Sequence, residues 1–271
     1  MARIAILADI HANRPALEAV LAEADDCGVT ETAFLGDIVG YGGSPAACVD
    51  LVRSRGGRCV MGNHDARIAA VRRRGGGFPI ADWQSSPYFS ALAFAAAELD
   101  PDQVVWLASL PDRMWLTGGI AAHANLAEPG GFSPIEDLAS ASATLDILQS
   151  GRTRLGFFGH THRPGIFTRE PGALEWLDAH RVRIPQELPC AVMAGAVGWP
   201  GPDGDLDAHW ILWDSDERIV GFRNTPYDRL RAARDIRNAG LPLASALTLL
   251  NEEEKALVSK VDADVAPSLW V

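Results

Sequence analysis

Short apolar runs alternate with helical patterns at the start of the chain. Arg3–Ala8, Thr30–Leu35 and Arg58–Met61 are apolar and partly β-branched, and each run predicts a buried strand. Between them, apolar residues recur at helical spacing after Pro15, and Pro45 opens a second helix. The resulting β-α-β-α-β order predicts an α/β fold in which some strands are parallel.

The middle of the chain has a less regular pattern. The segment 66–90 is predicted to be an insertion or a lid, and its basic, glycine-rich first part, Ala66–Pro79, is predicted to be a loop or an insertion. Three further helices are predicted, over Pro87–Leu99, from Pro101 onward, and over Pro134–Gln149 with Ser133 as N-cap. Two further strands are predicted, over Arg113–Ala122 and Arg154–Phe158.

The last hundred residues change to short strands separated by turns, which favours an antiparallel sheet. These strands are predicted over Gly165–Thr168, Leu174–Leu177, Arg181–Ile184, Cys190–Ala194, His209–Trp213 and Arg218–Arg223. Residues 225–271 are predicted to be helical, with one helix from Pro226 capped by Thr225 and another from Leu243. No repeat or linker interrupts the pattern, so residues 1–271 are predicted to form a single domain with two packed sheets.

The amino-acid composition argues against several classes of function. The formal net charge of −11 argues against a broad nucleic-acid or anionic-membrane surface, although bound metals would not enter that count. The four cysteines form no CxxC pair, so reduced thiols and a cytoplasmic location are expected. The most apolar stretch, Ala91–Ala97, is too short to span a bilayer, and the amino terminus lacks a signal-peptide pattern.

Five of the seven histidines lie in polar turns that follow apolar runs, whereas His180 and His209 do not and are expected to be structural or on the surface. Side chains beyond the carboxyl ends of parallel strands converge, so these turns are expected to form one site. Asp9 and His11 are two residues apart, so in an extended chain they would point to the same side, and His160 and His162 repeat this spacing.

The polar turns contain, in order, Asp-x-His, Gly-Asp-x-x-Gly, Gly-Asn-His-Asp, a lone histidine and Gly-His-Thr-His. This set resembles the motifs of the calcineurin-like metallophosphoesterases, in particular the small bacterial and archaeal branch, and the resemblance extends to about Asn224. It implies a four-layer α/β/β/α sandwich with two mixed β-sheets and a metal site at the strand C-terminal ends. Ala124 and the segment Met193–Gly198 depart from the family pattern, which affects expected substrate contacts rather than metal binding.

The resemblance also implies roles for individual residues. Asp9, His11 and His162 would hold one metal ion, Asn63, His123 and His160 the other, and Asp37 would bridge the two. Oxygen and imidazole donors without thiolate suit manganese, iron, zinc or nickel. A metal-bridging hydroxide would attack the phosphate ester, His64 would protonate or stabilise the leaving oxygen, and Asp65 would orient His64.

Several alternatives stay open at this point. The expected partner is a small phosphorylated substrate, either a monoester or a diester, rather than duplex nucleic acid or a membrane. The alternatives are a non-catalytic metal-binding scaffold on the same fold, and a nuclease or nucleotide phosphodiesterase. Arg72–Arg74 either clamps a phosphate or is a solvated run, and the solvated run is favoured. The same choice applies to Trp83 and Tyr88 as a lid.

Overall fold

The computed structural model describes residues 2–75, 77–79 and 81–264, without the side chains of 259–264. Gly76 and Ile80, in the predicted insertion, and the end of the predicted helical tail after Asp264 lie outside the described residues. The strands are β1 (Arg3–Leu7), β2 (Glu31–Phe34), β3 (Arg58–Cys59), β4 (Arg113–Leu116), β5 (Gly119–Ala122), β6 (Leu155–Phe158), β7 (Pro164–Phe167), β8 (Glu175–Trp176), β9 (Arg181–Arg183), β10 (Cys190–Ala194), β11 (Ala208–Asp214) and β12 (Ile219–Thr225). The helices are α1 (Arg14–Asp26), α2 (Pro45–Arg55), α3 (Asn63–Arg73), α4 (Pro87–Glu98), α5 (Pro101–Ala108), α6 (Leu138–Ser150), α7 (Arg229–Asn238), α8 (Leu243–Thr248) and α9 (Glu252–Asp264).

The strands form two mixed sheets. The first has the order β3-β2-β1-β11-β12-β9-β8, and the second has the order β4-β5-β6-β10-β7. Parallel pairs lie at the β-α-β start of the first sheet, and β5, β6 and β10 are parallel in the second. The remaining pairs are antiparallel.

Three apolar clusters separate four layers. On β1, Ile4 and Ile6 join a cluster that includes residues of both sheets, whereas Ala5 and Leu7 join one with α1 to α5. This alternation follows from the two-residue period of a strand, which buries both faces of β1. A third cluster packs α6 on the outer face of the second sheet. The predicted α/β/β/α sandwich with two mixed sheets is therefore confirmed.

The predicted loop is wrong at its start, because residues 66–73 belong to α3. Ile68 and Val71 are buried three residues apart, and Asp65 accepts a hydrogen bond from the Gly62 amide at the first turn. The helix therefore has a buried face and a satisfied amino-terminal end, although its arginine-rich sequence favoured a loop. Arg72 donates a hydrogen bond to the Leu99 carbonyl, and Arg72–Arg74 is otherwise exposed at the helix end.

Three other boundaries differ from their predictions. Residues 113–122 are a hairpin of β4 and β5, because the chain turns at Gly118, whose φ of +85° suits glycine. The helix predicted from Pro134 begins at Leu138, where Asp137 accepts a hydrogen bond from the Ser140 amide. The helix predicted from Pro226 begins at Arg229 with Asp228 as its cap.

The later strands also do not form one separate antiparallel sheet. They are divided between the two sheets, and β10 pairs parallel to β6 because it returns through the core of the second sheet. Within the described residues, no helix combines the length and apolar character needed to cross a bilayer.

Candidate metal centre

The polar turns of both sheets meet at one end of the sandwich. Asp9 and Asp37 follow β1 and β2 of the first sheet, while His123 and His160 follow β5 and β6 of the second. Backbone hydrogen bonds join neighbouring turns, from the His11 amide to the Asp37 carbonyl at 2.9 Å and from the Gly159 amide to the His123 carbonyl at 2.9 Å. The site therefore lies across the junction of the two sheets, at the carboxyl ends of these strands.

The seven predicted ligands lie together in two groups. One group contains Asp9, His11 and His162, the other contains Asp37, His123 and His160, and within each group the donor atoms lie within 4.8 Å of one another. Asn63 joins the second group, with Oδ1 lying 3.0 Å from Nε2 of His123.

Asp37 lies between the two groups. Its Oδ2 is 3.4 Å from Nε2 of His123 and 3.9 Å from Nε2 of His11. The same oxygen is also 3.9 Å from Nε2 of His64, which makes a third set of donors, His11, Asp37 and His64. The position of Asp37 is the one that a carboxylate shared by two cations requires.

The four histidines of these two groups each face a backbone carbonyl with one ring nitrogen. The carbonyls are those of Val39 for His11, Leu35 for His123, Phe132 for His160 and Pro200 for His162. A carbonyl only accepts hydrogen bonds, so the ring nitrogen that faces it carries the proton in the neutral ring. The other nitrogen then keeps its lone pair for a cation, as in the carbonyl-oriented histidines of metal sites.

The backbone of the site is not extended. Five of the seven ligands have positive φ: Asp9 (54°), His11 (48°), Asp37 (52°), His160 (72°) and His162 (56°). The expectation that each i, i+2 pair points to one side of an extended chain is therefore wrong. His160 and His162 belong to different groups. Non-glycine residues with positive φ are uncommon and concentrate at functional sites.

Asp9 provides the test of whether these residues fit metal ions. Its Oδ2 accepts a hydrogen bond from the His160 amide at 2.8 Å, but the buried Oδ1 has no hydrogen-bond partner among the described residues. Nε2 of His11 and Nε2 of His162 lie 3.9 and 3.7 Å from this oxygen, and 3.0 Å from each other. A buried carboxylate oxygen without a partner is costly. A divalent cation would satisfy it, and the donor set therefore fits.

Burial disfavours the charged form of each ionisable group in the site. It raises the pKa of Asp9 to about 8 and lowers the pKa values of His160 and His162 to about 4 each. Burial also lowers the pKa of His123, but the Asp37 carboxylate outweighs this effect and raises that pKa to about 9. Without a cation, the centre therefore holds protons that metal binding would have to displace.

Asp65 does not have the predicted contact with His64. Its carboxylate accepts hydrogen bonds from the amides of Ile38 (3.1 Å), Val39 (3.3 Å) and Gly62 (3.0 Å). The buried Nδ1 of His64 has no hydrogen-bond partner among the described residues. Asp65 therefore joins the turn after β2 to the start of α3, and it does not orient the imidazole.

Backbone packing holds His64 instead. Its amide donates to Oδ1 of Asp37 at 2.8 Å. A Cβ atom on Gly40 would lie only 2.1 Å from the ring Nδ1, and Gly40 has a φ of +109°. The glycine of the Gly-Asp-x-x-Gly turn thus leaves the space that the His64 ring occupies.

An aromatic wall, formed by Tyr41, Tyr88 and Trp199, covers the His64 side of the centre. Tyr41 stacks on Trp199 at 4.4 Å between centroids and lies 4.7 Å from the His11 ring. Tyr88 lies 4.8 Å from the His64 ring, and its buried hydroxyl lacks a hydrogen-bond partner within the described part of the chain.

Sequence patterns had suggested Tyr88 but not its two neighbours in the wall. Tyr41 follows Gly40 and Trp199 follows Gly198, directly after segments with the family motifs, and that position is the only sequence signal that they carry. Trp83, the other residue suggested as a lid, packs against Phe78. His180 and His209 lie outside the ligand groups, with His180 exposed and His209 buried 3.3 Å from Asp205.

Comparisons with known proteins agree with this geometry. The family model of the calcineurin-like phosphoesterases matches residues 2–164. A metallophosphoesterase from Sphaerobacter thermophilus, known from its crystal structure, is 30% identical, and the match covers 91% of this chain and 98% of that one with a TM-score of 0.76. The chain belongs to the calcineurin-like phosphoesterase family.

Two archaeal proteins are also similar to this calcineurin-like phosphoesterase. An uncharacterized protein from Methanocaldococcus jannaschii is 28% identical over 248 residues, which is 88% of this chain and 93% of that protein. The crystal structure of a hypothetical protein from Pyrococcus horikoshii OT3 is 18% identical with a TM-score of 0.74, covering 93% of this chain and 98% of that one, and shows a shared fold. Family membership and the donor groups together support metal-dependent hydrolysis of phosphoesters.

Proposed function

We propose that the chain hydrolyses a small phosphate monoester or diester at a centre of two divalent metal ions. The observation that carries the proposal is the position of Asp37 between two donor groups, each of which has the composition of a metal site. Asp9, His11 and His162 would hold one ion, and Asn63, His123 and His160 the other. Such ions, when bound, supply Lewis acidity and lower the pKa of water.

The surrounding residues have separate tasks in this proposal. His64 is proposed to donate a hydrogen bond or a proton to the leaving oxygen, because its Nε2 lies at the edge of the centre, 3.9 Å from Oδ2 of Asp37. The wall of Tyr41, Tyr88 and Trp199 would exclude bulk water from that side. Asp65 would keep the turn after β2, and with it Asp37, in place.

The acidic surface supports a small substrate rather than a nucleic acid. The net charge is −11, and many arginines pair with carboxylates, as Arg223 does with Glu23. A duplex-binding surface would need unpaired basic residues along a continuous face. The presence of all predicted ligands and of His64 likewise favours an enzyme over a non-catalytic scaffold. We also propose that the protein acts in the cytoplasm.

The test is hydrolysis of p-nitrophenyl phosphate and its bis ester by protein loaded separately with manganese, iron, zinc or nickel. We expect about two ions per chain and turnover of at least one ester. Asp37→Asn should lose both bound metal and activity, whereas His180→Ala, at an exposed histidine outside the centre, should retain both. Protein that holds two ions and hydrolyses neither ester with any of these metals would refute the proposal.

A further inference from the structure

A second concave site lies at the opposite end of the second sheet from the metal centre. It is an open cavity of about 680 Å³, and its lining includes Trp115, Arg152, Arg154, Glu187 and Arg218. We call it the arginine cavity. Arg154 immediately precedes β6, whereas His160 follows the other end of the same strand. The two sites therefore do not share residues.

The three arginines of this cavity differ from many others in the chain. Arg223 pairs with Glu23, and Arg229 pairs with Glu254. In contrast, Arg152, Arg154 and Arg218 form no ion pair with a carboxylate in the part of the chain that the structure describes. With Glu187 as the acidic lining residue, the cavity has a formal surplus of two positive charges in a strongly acidic protein.

Backbone carbonyls and not anions contact two of these guanidinium groups. Arg154 donates from Nη1 to the carbonyls of Leu148 (3.1 Å) and Gly151 (3.2 Å), and its buried Nε has no partner among the described residues. Arg218 donates from Nε to the Ile184 carbonyl at 3.0 Å. Burial lowers the pKa of Arg218, and this effect outweighs the opposite effect of the nearby Glu187 carboxylate.

The third guanidinium lies against an aromatic ring. Arg152 is 5.3 Å from the centroid of Trp115, and Trp115 is 48% exposed although it is a large apolar side chain. An exposed tryptophan beside a cation offers a stacking surface for a planar ring. Gly118 and Gly119 also line the cavity, so few side chains obstruct it near the tryptophan.

We propose that the arginine cavity binds a phosphate-bearing ligand with a planar aromatic ring, of the nucleotide class. The phosphate would contact Arg154 and Arg218, whose described hydrogen bonds go to backbone carbonyls and not to carboxylates. Guanidinium donors match phosphate oxygens in geometry and charge. The ring would lie against Trp115, with Arg152 beside it. This proposal does not depend on the reaction at the metal centre.

Calorimetric titration of the metal-loaded full-length protein with α,β-methylene-ADP tests this site. Arg152→Glu is the informative variant, because Arg152 is exposed and its described contact is with Trp115. We expect about ten-fold weaker binding, which corresponds to about 1.4 kcal/mol. Arg73→Glu makes the same charge change at the exposed end of α3 and should leave the affinity unchanged.

Two further variants distinguish binding in the cavity from binding at the metal centre, and the contribution of the ligand's ring from that of its phosphate. Binding should persist in Asp37→Asn, and Trp115→Ala should weaken α,β-methylene-ADP more than methylene diphosphonate. Circular dichroism verifies that each variant is folded. Absence of saturable binding, equal affinity in Arg152→Glu and Arg73→Glu, or loss of binding in Asp37→Asn would overturn the proposal. Equal weakening of the two probes by Trp115→Ala would overturn its aromatic part.

Discussion

At the scale of single residues, the centre combines constrained backbone with polar atoms that have no partner in the protein. Asp9 has positive φ and a buried carboxylate oxygen without a hydrogen-bond partner among the described residues. His64 and Tyr88 contribute two more such atoms, Nδ1 and the phenol oxygen. Buried polar groups are normally satisfied. Three unsatisfied atoms around one centre indicate a site formed to receive a ligand.

The Tyr88 hydroxyl gives a first prediction. Tyr88→Phe should lower kcat by up to about ten-fold, because one hydrogen bond to the substrate is worth about 0.5–1.5 kcal/mol. The free energy of unfolding should not fall, since the hydroxyl has no described partner to lose. In the control Tyr227→Phe, stability should fall by about 1 kcal/mol, because the Tyr227 hydroxyl bonds to Asn13. Kinetics and urea denaturation of both variants measure this contrast, and unchanged kcat in Tyr88→Phe would contradict it.

Gly40 gives a second prediction at this scale. Gly40→Ala would place a Cβ 2.1 Å from Nδ1 of His64, so the ring must move and activity should fall by at least about 10²-fold. Gly28→Ala is the matched control, since Gly28 also has positive φ but open space around it. That variant should lose about 1 kcal/mol of stability and keep its kcat. Similar activity losses in both variants would show that backbone strain, and not the position of His64, is responsible.

At the scale of elements, α3 and the turn after β2 form one unit. Asp65 accepts a hydrogen bond from the Gly62 amide at the start of α3, and it also accepts from the amides of Ile38 and Val39. The helix therefore begins where the turn that carries Asp37 is fixed. A carboxylate with three amide donors couples helix formation to the placement of Asp37, the proposed bridging ligand.

Removal of this carboxylate should affect stability and activity together. Asp65→Ala is expected to lose about 2–4 kcal/mol of stability, because three buried amides lose their acceptor. Asp137→Ala, at the amino-terminal cap of α6, should cost about 1 kcal/mol and leave kcat unchanged. Urea denaturation, metal analysis and kinetics check the pair. Full metal occupancy and full activity in Asp65→Ala would refute the coupling.

At the scale of the whole molecule, the centre joins the two sheets. Asp9 and Asp37 come from the first sheet, and His123, His160 and His162 follow strands of the second. Bound metal would therefore link the two halves of the sandwich, and its binding free energy would add to the free energy of unfolding.

Metal removal should accordingly lower the melting temperature. With free metal at about 100 times its Kd, the folded state gains about 2.7 kcal/mol, and EDTA should abolish that gain. His180→Ala should show the same EDTA effect as the wild type, whereas Asp37→Asn should show little. Scanning calorimetry with and without EDTA measures these shifts. A melting temperature of the wild type that does not respond to EDTA would contradict a metal link between the sheets.

Patterns within short segments determined much of this protein. Apolar periodicity and capping residues predicted β1, α1, α2, α4 and α5 within a few residues, because local backbone preferences agree with burial there. The polar turns that follow the strands grouped the seven predicted ligands as one set, because side chains beyond the carboxyl ends of strands converge. The helix α3 was not predicted, because its several arginines make the helical spacing of the apolar residues Ile68 and Val71 difficult to recognise.

Tertiary structure decided the features that depend on contacts between distant segments. Asp65 accepts hydrogen bonds from the amides of Ile38 and Val39, more than twenty residues away in sequence. No local pattern indicates that Asp65 contacts these amides rather than the His64 ring. Three other features likewise require the folded chain. They are the positive φ of Asp9 and His160, the contact of Tyr88 with His64, and the assembly of the arginine cavity from four turns. The sequence by itself determined which residues are candidates for the metal centre, because residue type and spacing are local properties. Only the packing of the two sheets decided which atoms face one another, because that packing is a property of the whole chain.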